Sequence, residues 1–131
     1  MEFGGDLGRM LLTRVGDVMI KDNLPTITKT SNMKDVIQIM TSGQLGTAIA
    51  VDSKQRVVGI ITDGDLRRAL NKYENIFELK AEDIMTKQPV TISKDSKLYE
   101  AQEIFNAKKI VTLIITDDKG KLQGVHQVHN L

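Results

Sequence analysis

Residues 26–66 of this chain reappear as residues 91–131 at a constant shift of 65, without a gap. The pairs Thr26/Thr91, Ile27/Ile92, Lys29/Lys94, Ser31/Ser96, Ile39/Ile104, Thr47/Thr112, Ile49/Ile114, Asp52/Asp117, Lys54/Lys119, Gly59/Gly124 and Leu66/Leu131 make 11 identities in 41 aligned positions. Average composition would give roughly two or three. Similar pairs such as Met33/Leu98, Asp35/Glu100, Met40/Phe105 and Ile60/Val125 keep the same register, and Asp17-Val18-Met19 upstream recurs as Asp83-Ile84-Met85. A chain of 131 residues has the size of one compact domain, which buries about two thirds of its extended surface. A tandem repeat at that length predicts two half-domains packed rigidly side by side with pseudo-twofold symmetry.

Within each repeat the apolar spacing changes from helical to strand-like. Ser31 can cap a helix whose positions Met33, Val36, Ile37 and Met40 follow helical spacing, with Gly43 as a stop. Thr47–Val51 and Val57–Ile61 are runs rich in β-branched residues around the polar turn Asp52–Arg56, which predicts a hairpin. Thr62-Asp63-Gly64-Asp65 then leads into helix-forming Leu66–Leu70. In the second repeat Ser96 is the corresponding cap, Leu98, Ala101, Ile104 and Phe105 the buried stripe, and Val111–Thr116 and Leu122–His126 the strands. The last helix is expected to begin where the chain ends at Leu131. Residues 71–83 hold no Pro, Gly or Ser run, so an ordered helical connection around Ile76, Phe77 and Leu79 is expected. The fold class is α+β, built from two β-α-β-β-α units.

Charge and composition narrow the function. Eighteen basic and seventeen acidic residues leave a net charge of +1, so no overall field attracts nucleic acid or an anionic membrane. The five aromatic residues, none of them tryptophan, do not make a base-stacking platform. The absence of cysteine excludes thiol catalysis and disulfides and agrees with a reducing cytoplasm. No apolar run reaches the length of a spanning helix, and the N-terminus is too polar for a signal peptide.

The chemistry concentrates at Thr62 and Asp65, a hydroxyl and a carboxylate three residues apart at the mouth of a helix. Two readings stand side by side. One is a capping box that stabilises the helix and does nothing else. In the other, Asp65 accepts hydrogen bonds from the vicinal hydroxyls of a ribose while Thr62 and the helix amides hold further polar oxygens. The repeat separates the two halves here, because Thr62 and Asp65 align with Gln127 and Asn130. A neutral amide offers a diol less than a carboxylate does. His126 and His129, the only histidines, lie three apart but lack a cysteine or nearby carboxylate to complete a metal site, so no metal is expected. Arg67, Arg68 and Lys108-Lys109 are cations suited either to phosphate or to solvent. No Ser–His–Asp set, carboxylate pair or Gly-rich phosphate loop can be assembled.

These residues resemble a known family. The repeated unit, the Asp-Val-Met and Asp-Ile-Met-Thr lead-ins and the string Gly59-Ile60-Ile61-Thr62-Asp63-Gly64-Asp65-Leu66-Arg67 are similar to a pair of cystathionine-β-synthase (CBS) domains. That resemblance implies a regulatory module binding an adenosyl or related nucleotide between the two repeats, with ribose contacts from Thr62 and Asp65. The candidate binding set it implies is Thr26, Ile27, Thr47, Ile61, Thr62, Asp65 and Arg67, with Thr91, Thr112, Gln127 and Asn130 in the second repeat. Gln127 and Asn130 depart from the motif. Gly4–Met19, Ile61–Arg68 and Gly124–Leu131 also resemble the C-terminal part of bacterial D-arabinose-5-phosphate isomerases, in which a sugar isomerase (SIS) domain precedes the CBS pair. On that resemblance residues 1–17 are a linker from an isomerase domain, 18–71 and 84–131 the two repeats, and 72–83 the connection.

The implied role is regulatory, in a piece of a longer enzyme that interconverts ribulose 5-phosphate and arabinose 5-phosphate on the way to the octulosonate of lipopolysaccharide or capsule. Catalysis would belong to the isomerase domain, so no activity is expected of this chain and no cofactor is required. The regulatory ligand would be an adenine nucleotide or a CMP-linked octulosonate (CMP-Kdo). The expected partners are the attached SIS domain and further copies in a homodimer or higher homo-oligomer. The alternative is a ligand-free oligomerisation module of the same enzyme, associating partly through Met33–Met40 and Leu98–Phe105.

Overall fold

A computed structural model describes residues 3–129. The helices are α1 (Phe3–Leu12), α2 (Val15–Val18), α3 (Met33–Gly43), α4 (Asp63–Lys72), α5 (Ala81–Ile84) and α6 (Leu98–Lys108), with a 3-10 turn at Ile76–Glu78. The strands are β1 (Thr26–Ile27), β2 (Thr47–Val51), β3 (Val57–Thr62), β4 (Thr86–Lys87), β5 (Thr91–Ile92), β6 (Thr112–Thr116) and β7 (Leu122–Gln127). The mixed α+β class is as expected, and the shift of 65 carries β1, α3, β2 and β3 onto β5, α6, β6 and β7 residue for residue.

Asn23–Pro89 forms one compact unit, and the residues up to Asp22 group with those from Val90 onward in the other. The spatial grouping therefore runs across the sequence repeats, because each lead-in segment docks on the repeat that it does not precede. Ala81 N–H donates to Ser31 O (2.8 Å) and Glu82 N–H to Lys29 O (2.9 Å). The same pair of bonds recurs as Val15 N–H to Ser96 O (2.7 Å) and Gly16 N–H to Lys94 O (2.8 Å). Val15 and Ala81 are fully buried.

In the Asn23–Pro89 unit the sheet order is β1-β2-β3-β4, with β1 parallel to β2 and the other pairs antiparallel. The other unit has β5-β6-β7, and a two-way bridge between Ile20 and Val125 stands where β4 pairs with β3. Both hairpins slip register at the same repeat position, between Ala50/Val51 and between Ile115/Thr116. β2 is buried at every residue, which explains why its apolar run is continuous rather than alternating. Methionines of the lead-ins cover the sheet glycines. A Cβ on Gly59 would lie 2.5 Å from Met85 Sδ, and one on Gly124 would lie 2.7 Å from both Met19 Sδ and Ile20 O.

The cores use complementary volumes. Met33, Val36 and Met40 of α3 pack on Ala48, Ala50 and Ile61, whereas Leu98, Ala101 and Phe105 of α6 pack on Leu113 and Ile115. Larger strand residues thus meet a repeat in which the helix gives up volume at Ala101.

Several local expectations are corrected. Asn32, not Ser31, caps α3, accepting from Asp35 N–H at 2.9 Å, because the Ser31 hydroxyl is taken by Thr28 N–H at 3.0 Å. Lys97, not Ser96, occupies the cap position of α6, and its N–H donates to Glu100 Oε2 at 3.1 Å. Helix α4 starts at Asp63 with Thr62 as its cap, so the box formed by Thr62 and Asp65 is its first turn, ahead of Leu66–Leu70. Val111 is exposed and precedes β6. The connection after residue 71 contains one 3-10 turn and the single turn of α5. The expected final helix lies outside the described residues.

Candidate functional site

The junction between β3 and α4 is organised by Asp65, which is 8% exposed. Carboxylate oxygens this deep need hydrogen-bond partners in place of the water they have lost. Four donors meet the carboxylate, two on each oxygen. Thr62 N–H (3.0 Å) and Thr62 Oγ1–H (3.1 Å) donate to Oδ2, while Arg68 Nη2 (2.7 Å) and Thr86 Oγ1–H (3.2 Å) donate to Oδ1. Asp65 N–H donates in turn to Thr62 Oγ1 at 3.2 Å, completing a capping box.

Three elements bring these groups together. β3 delivers Thr62 in an extended conformation (φ −105°, ψ 170°), the first turn of α4 folds Asp65 back onto it, and β4 supplies Thr86 through its pairing with Ile60. Thr47 faces Thr62 across the β2–β3 ladder, and its buried hydroxyl donates to Ile61 O at 3.0 Å. Gly46 (φ +67°) makes the turn into β2, where a Cβ would meet Asp63 Oδ2 at 2.9 Å. Only glycine takes that backbone conformation readily while leaving space for the Asp63 carboxylate.

The structure thus groups Thr47, Ile61, Thr62 and Asp65. Arg67 is exposed and takes no part in the cluster. Thr26 and Ile27 line a separate groove of about 540 Å³ with Asp35, Gln38 and Gln55, and it shares no residue with the Asp65 cluster. Sequence reasoning missed Arg68 and Thr86 as partners of Asp65. The spacing of Asp65 and Arg68 on one helix carried a signal for the first. None existed for Thr86, which lies 21 residues away and arrives through strand pairing.

The second repeat holds a different arrangement. Gln127 Nε2 donates to Thr112 Oγ1 at 3.2 Å, and both residues are buried. The amide therefore occupies its neighbouring threonine, where in the first repeat Thr62 turns to a carboxylate. Thr91 is exposed on β5, and Asn130 lies outside the described residues. His126, at the position of Ile61, is 1% exposed, and among the described residues neither ring nitrogen has a hydrogen-bond partner. Its ring lies 5.8 Å from that of Phe105, tilted by 40°. Burial pushes its pKa below the ordinary histidine value, and the positive charge of Arg9 adds to the effect. Among the described residues no cluster of three or more His, Asp or Glu could hold a metal ion, and no helix is long and apolar enough to cross a membrane.

The CBS domain family model matches residues 15–72 and 81–125. The chain belongs to the CBS-domain family. This CBS pair is 39% identical over 125 residues to the arabinose 5-phosphate isomerase KpsF of Escherichia coli, covering 95% of the chain and 38% of that protein. It is 41% identical over 123 residues to a probable arabinose 5-phosphate isomerase of Haemophilus influenzae, covering 93% of the chain and 36% of the relative. The CBS pair thus spans less than two fifths of the length of these relatives. Among solved structures, it superposes on CBSX2 in complex with AMP with a TM-score of 0.80 at 23% identity, covering 90% of this chain and 92% of that one. A CBS domain protein from Pyrobaculum aerophilum complexed with AMP gives 0.81 at 18% identity, covering 90% and 89%.

Proposed function

We propose that this CBS pair is the regulatory module of a cytoplasmic arabinose-5-phosphate isomerase, and that it responds to an adenine nucleotide held at Thr62 and Asp65. The observation that carries the reading is the placement of Asp65. The repeat keeps a buried carboxylate at one helix mouth and puts an asparagine at the equivalent position, so only the first repeat offers an anionic acceptor for a ribose diol. The N3 place of a capping box is filled by a neutral Gln as well as by an acid, so capping alone does not call for a charge buried to this depth. The family supplies the ligand class, since relatives of the same fold are complexed with AMP. The parent enzyme is proposed from the relatives that match across nearly the whole chain. The sugar chemistry would reside in an isomerase domain preceding residue 1, with the CBS pair altering how that domain packs or assembles.

One observation favours the oligomerisation module instead. All four hydrogen bonds to Asp65 come from within the chain, so the carboxylate is satisfied without a ligand. A thermal-shift series with AMP, ADP, ATP, CMP, the CMP-linked octulosonate and arabinose 5-phosphate separates the two readings. A ligand at one hundred times its Kd adds about 2.7 kcal/mol, or roughly 10 °C in a chain of this size. A rise with adenine nucleotides that is lost in Asp65→Asn supports the sensor. No shift with any compound, together with sedimentation indifferent to all of them, supports the assembly module.

A further inference from the structure

Asp65 cannot take a new hydrogen bond until one of its four donors leaves, and the four differ in how readily they can. Thr62 N–H and Thr62 Oγ1–H belong to the capping box, and breaking them opens the first turn of α4. Thr86 is fixed by its place in β4. Arg68 is different: its side chain is 73% exposed, it reaches Asp65 from one helical turn away, and only its tip is held. The Arg68 end of the pair is open to solvent although Asp65 is buried, so water takes up the guanidinium when it lets go, and freeing a long side chain returns entropy. Its guanidinium also lies over Gly64, where a Cβ would stand 3.3 Å from Nη1 and 3.6 Å from Nη2. The bare glycine leaves the path from Arg68 to the carboxylate open.

We propose that Arg68 is a latch on the Asp65 site: it occupies Oδ1 in the ligand-free protein, and must release it before a ribose diol can enter. The inference rests on Asp65 being the ribose acceptor. Its consequence is selectivity. A nucleoside without a phosphate displaces the guanidinium and leaves it with nothing but water. A nucleoside monophosphate displaces it and offers a new anionic acceptor within reach of the same side chain, to which arginine binds in a fork. The latch therefore disfavours nucleosides and is neutral or favourable to nucleotides, which makes Arg68 a specificity-determining residue rather than a simple cap partner.

Adenosine and AMP are titrated calorimetrically into the wild-type chain, Arg68→Met and Asp65→Asn. Methionine keeps the length and helix preference of the side chain without its charge, and asparagine keeps an acceptor oxygen for Thr62 N–H at the N3 place of the box. The expected result is that Arg68→Met binds adenosine about two- to fivefold more tightly than wild type, the scale of a pair whose cation is held in solvent. AMP gains nothing in the same variant, so the preference for AMP over adenosine shrinks, and in the wild type it shrinks with added salt. An unchanged preference in Arg68→Met overturns the latch while leaving the site intact, provided that Asp65→Asn loses both ligands. Wild-type affinity in Asp65→Asn overturns the site reading and the latch together, as does the absence of binding to both wild type and Arg68→Met.

Discussion

Replacing His126 by isoleucine should stabilise the protein, and by more at low pH than at high. Both ring nitrogens of His126 lack partners among the described residues, in an environment that exposes 1% of the residue. A buried polar group left unsatisfied costs about 1–3 kcal/mol. The first repeat shows what the position accommodates, because Ile61 fills it with no exposure at all. Imperfect fit against Phe105, the counterpart of Met40, would return up to about 1.5 kcal/mol. A net gain of about 1 kcal/mol corresponds to a melting temperature raised by roughly 3–5 °C at pH 7.5. The pH term follows from the depressed pKa of the folded state. Below the ordinary value near 6.5 the unfolded chain takes up a proton that the folded chain refuses, so wild-type stability is full above that pH and declines as pH falls. The decline is at most about 1.4 kcal/mol per pH unit for one proton. His126→Ile lacks it, and every other ionisable group is common to the two proteins, so the comparison isolates this one side chain. Melting curves at pH 7.5, 6.5 and 5.5 should show the gap between variant and wild type widening by several degrees. A gap that stays constant, or a variant that melts lower at pH 7.5, would refute the reasoning.

Other consequences are separable by the same assay. Gly124→Ala should lower the melting temperature more than Gly59→Ala, because its Cβ meets the Ile20 carbonyl oxygen as well as a methionine, whereas at Gly59 only the Met85 side chain must move; overpacking of this kind costs about 1–3 kcal/mol. Thr47→Val should cost about 1–2 kcal/mol by removing the buried hydroxyl from Ile61 O, and unchanged stability would show that the bond is replaced by water. Asp65→Asn should leave the melting temperature of the ligand-free chain within a few degrees while abolishing any rise caused by AMP. Asn32→Ala should destabilise by about 1 kcal/mol and Ser31→Ala by less, since Asn32 carries the cap of α3.

The repeat makes the fold legible. A shift of 65 aligns Thr47–Val51 with Thr112–Thr116 on residue identity alone, and the hairpins, their turns and the register slips obey it. Short-range signals are readable wherever a side chain acts within its own turn, as at Thr62 and Asp65 or at Asp52, whose Oδ1 accepts from both Lys54 and Arg56 N–H. Those signals misplace a cap by one residue at Ser31, because Ser, Asn and Thr stand together there and only the geometry decides which hydroxyl the preceding turn consumes. The long-range part is not legible. Thr86 reaches Asp65 through the pairing of β4 with β3, and the docking of Val15 and Ala81 on opposite repeats depends on backbone carbonyls that carry no sequence signature. His126 resembles half of a metal pair in the sequence; strand alternation places it beside Leu113 in the core, away from the exposed His129.

The most direct test of the account is an amide chemical-shift map of the chain titrated with AMP. The account predicts saturable shifts centred on Thr62, Asp65, Arg68 and Thr86 that disappear in Asp65→Asn, with Thr112 and Gln127 much less affected. Shifts centred on Thr112 and Gln127, or a spectrum unchanged by AMP, would contradict it.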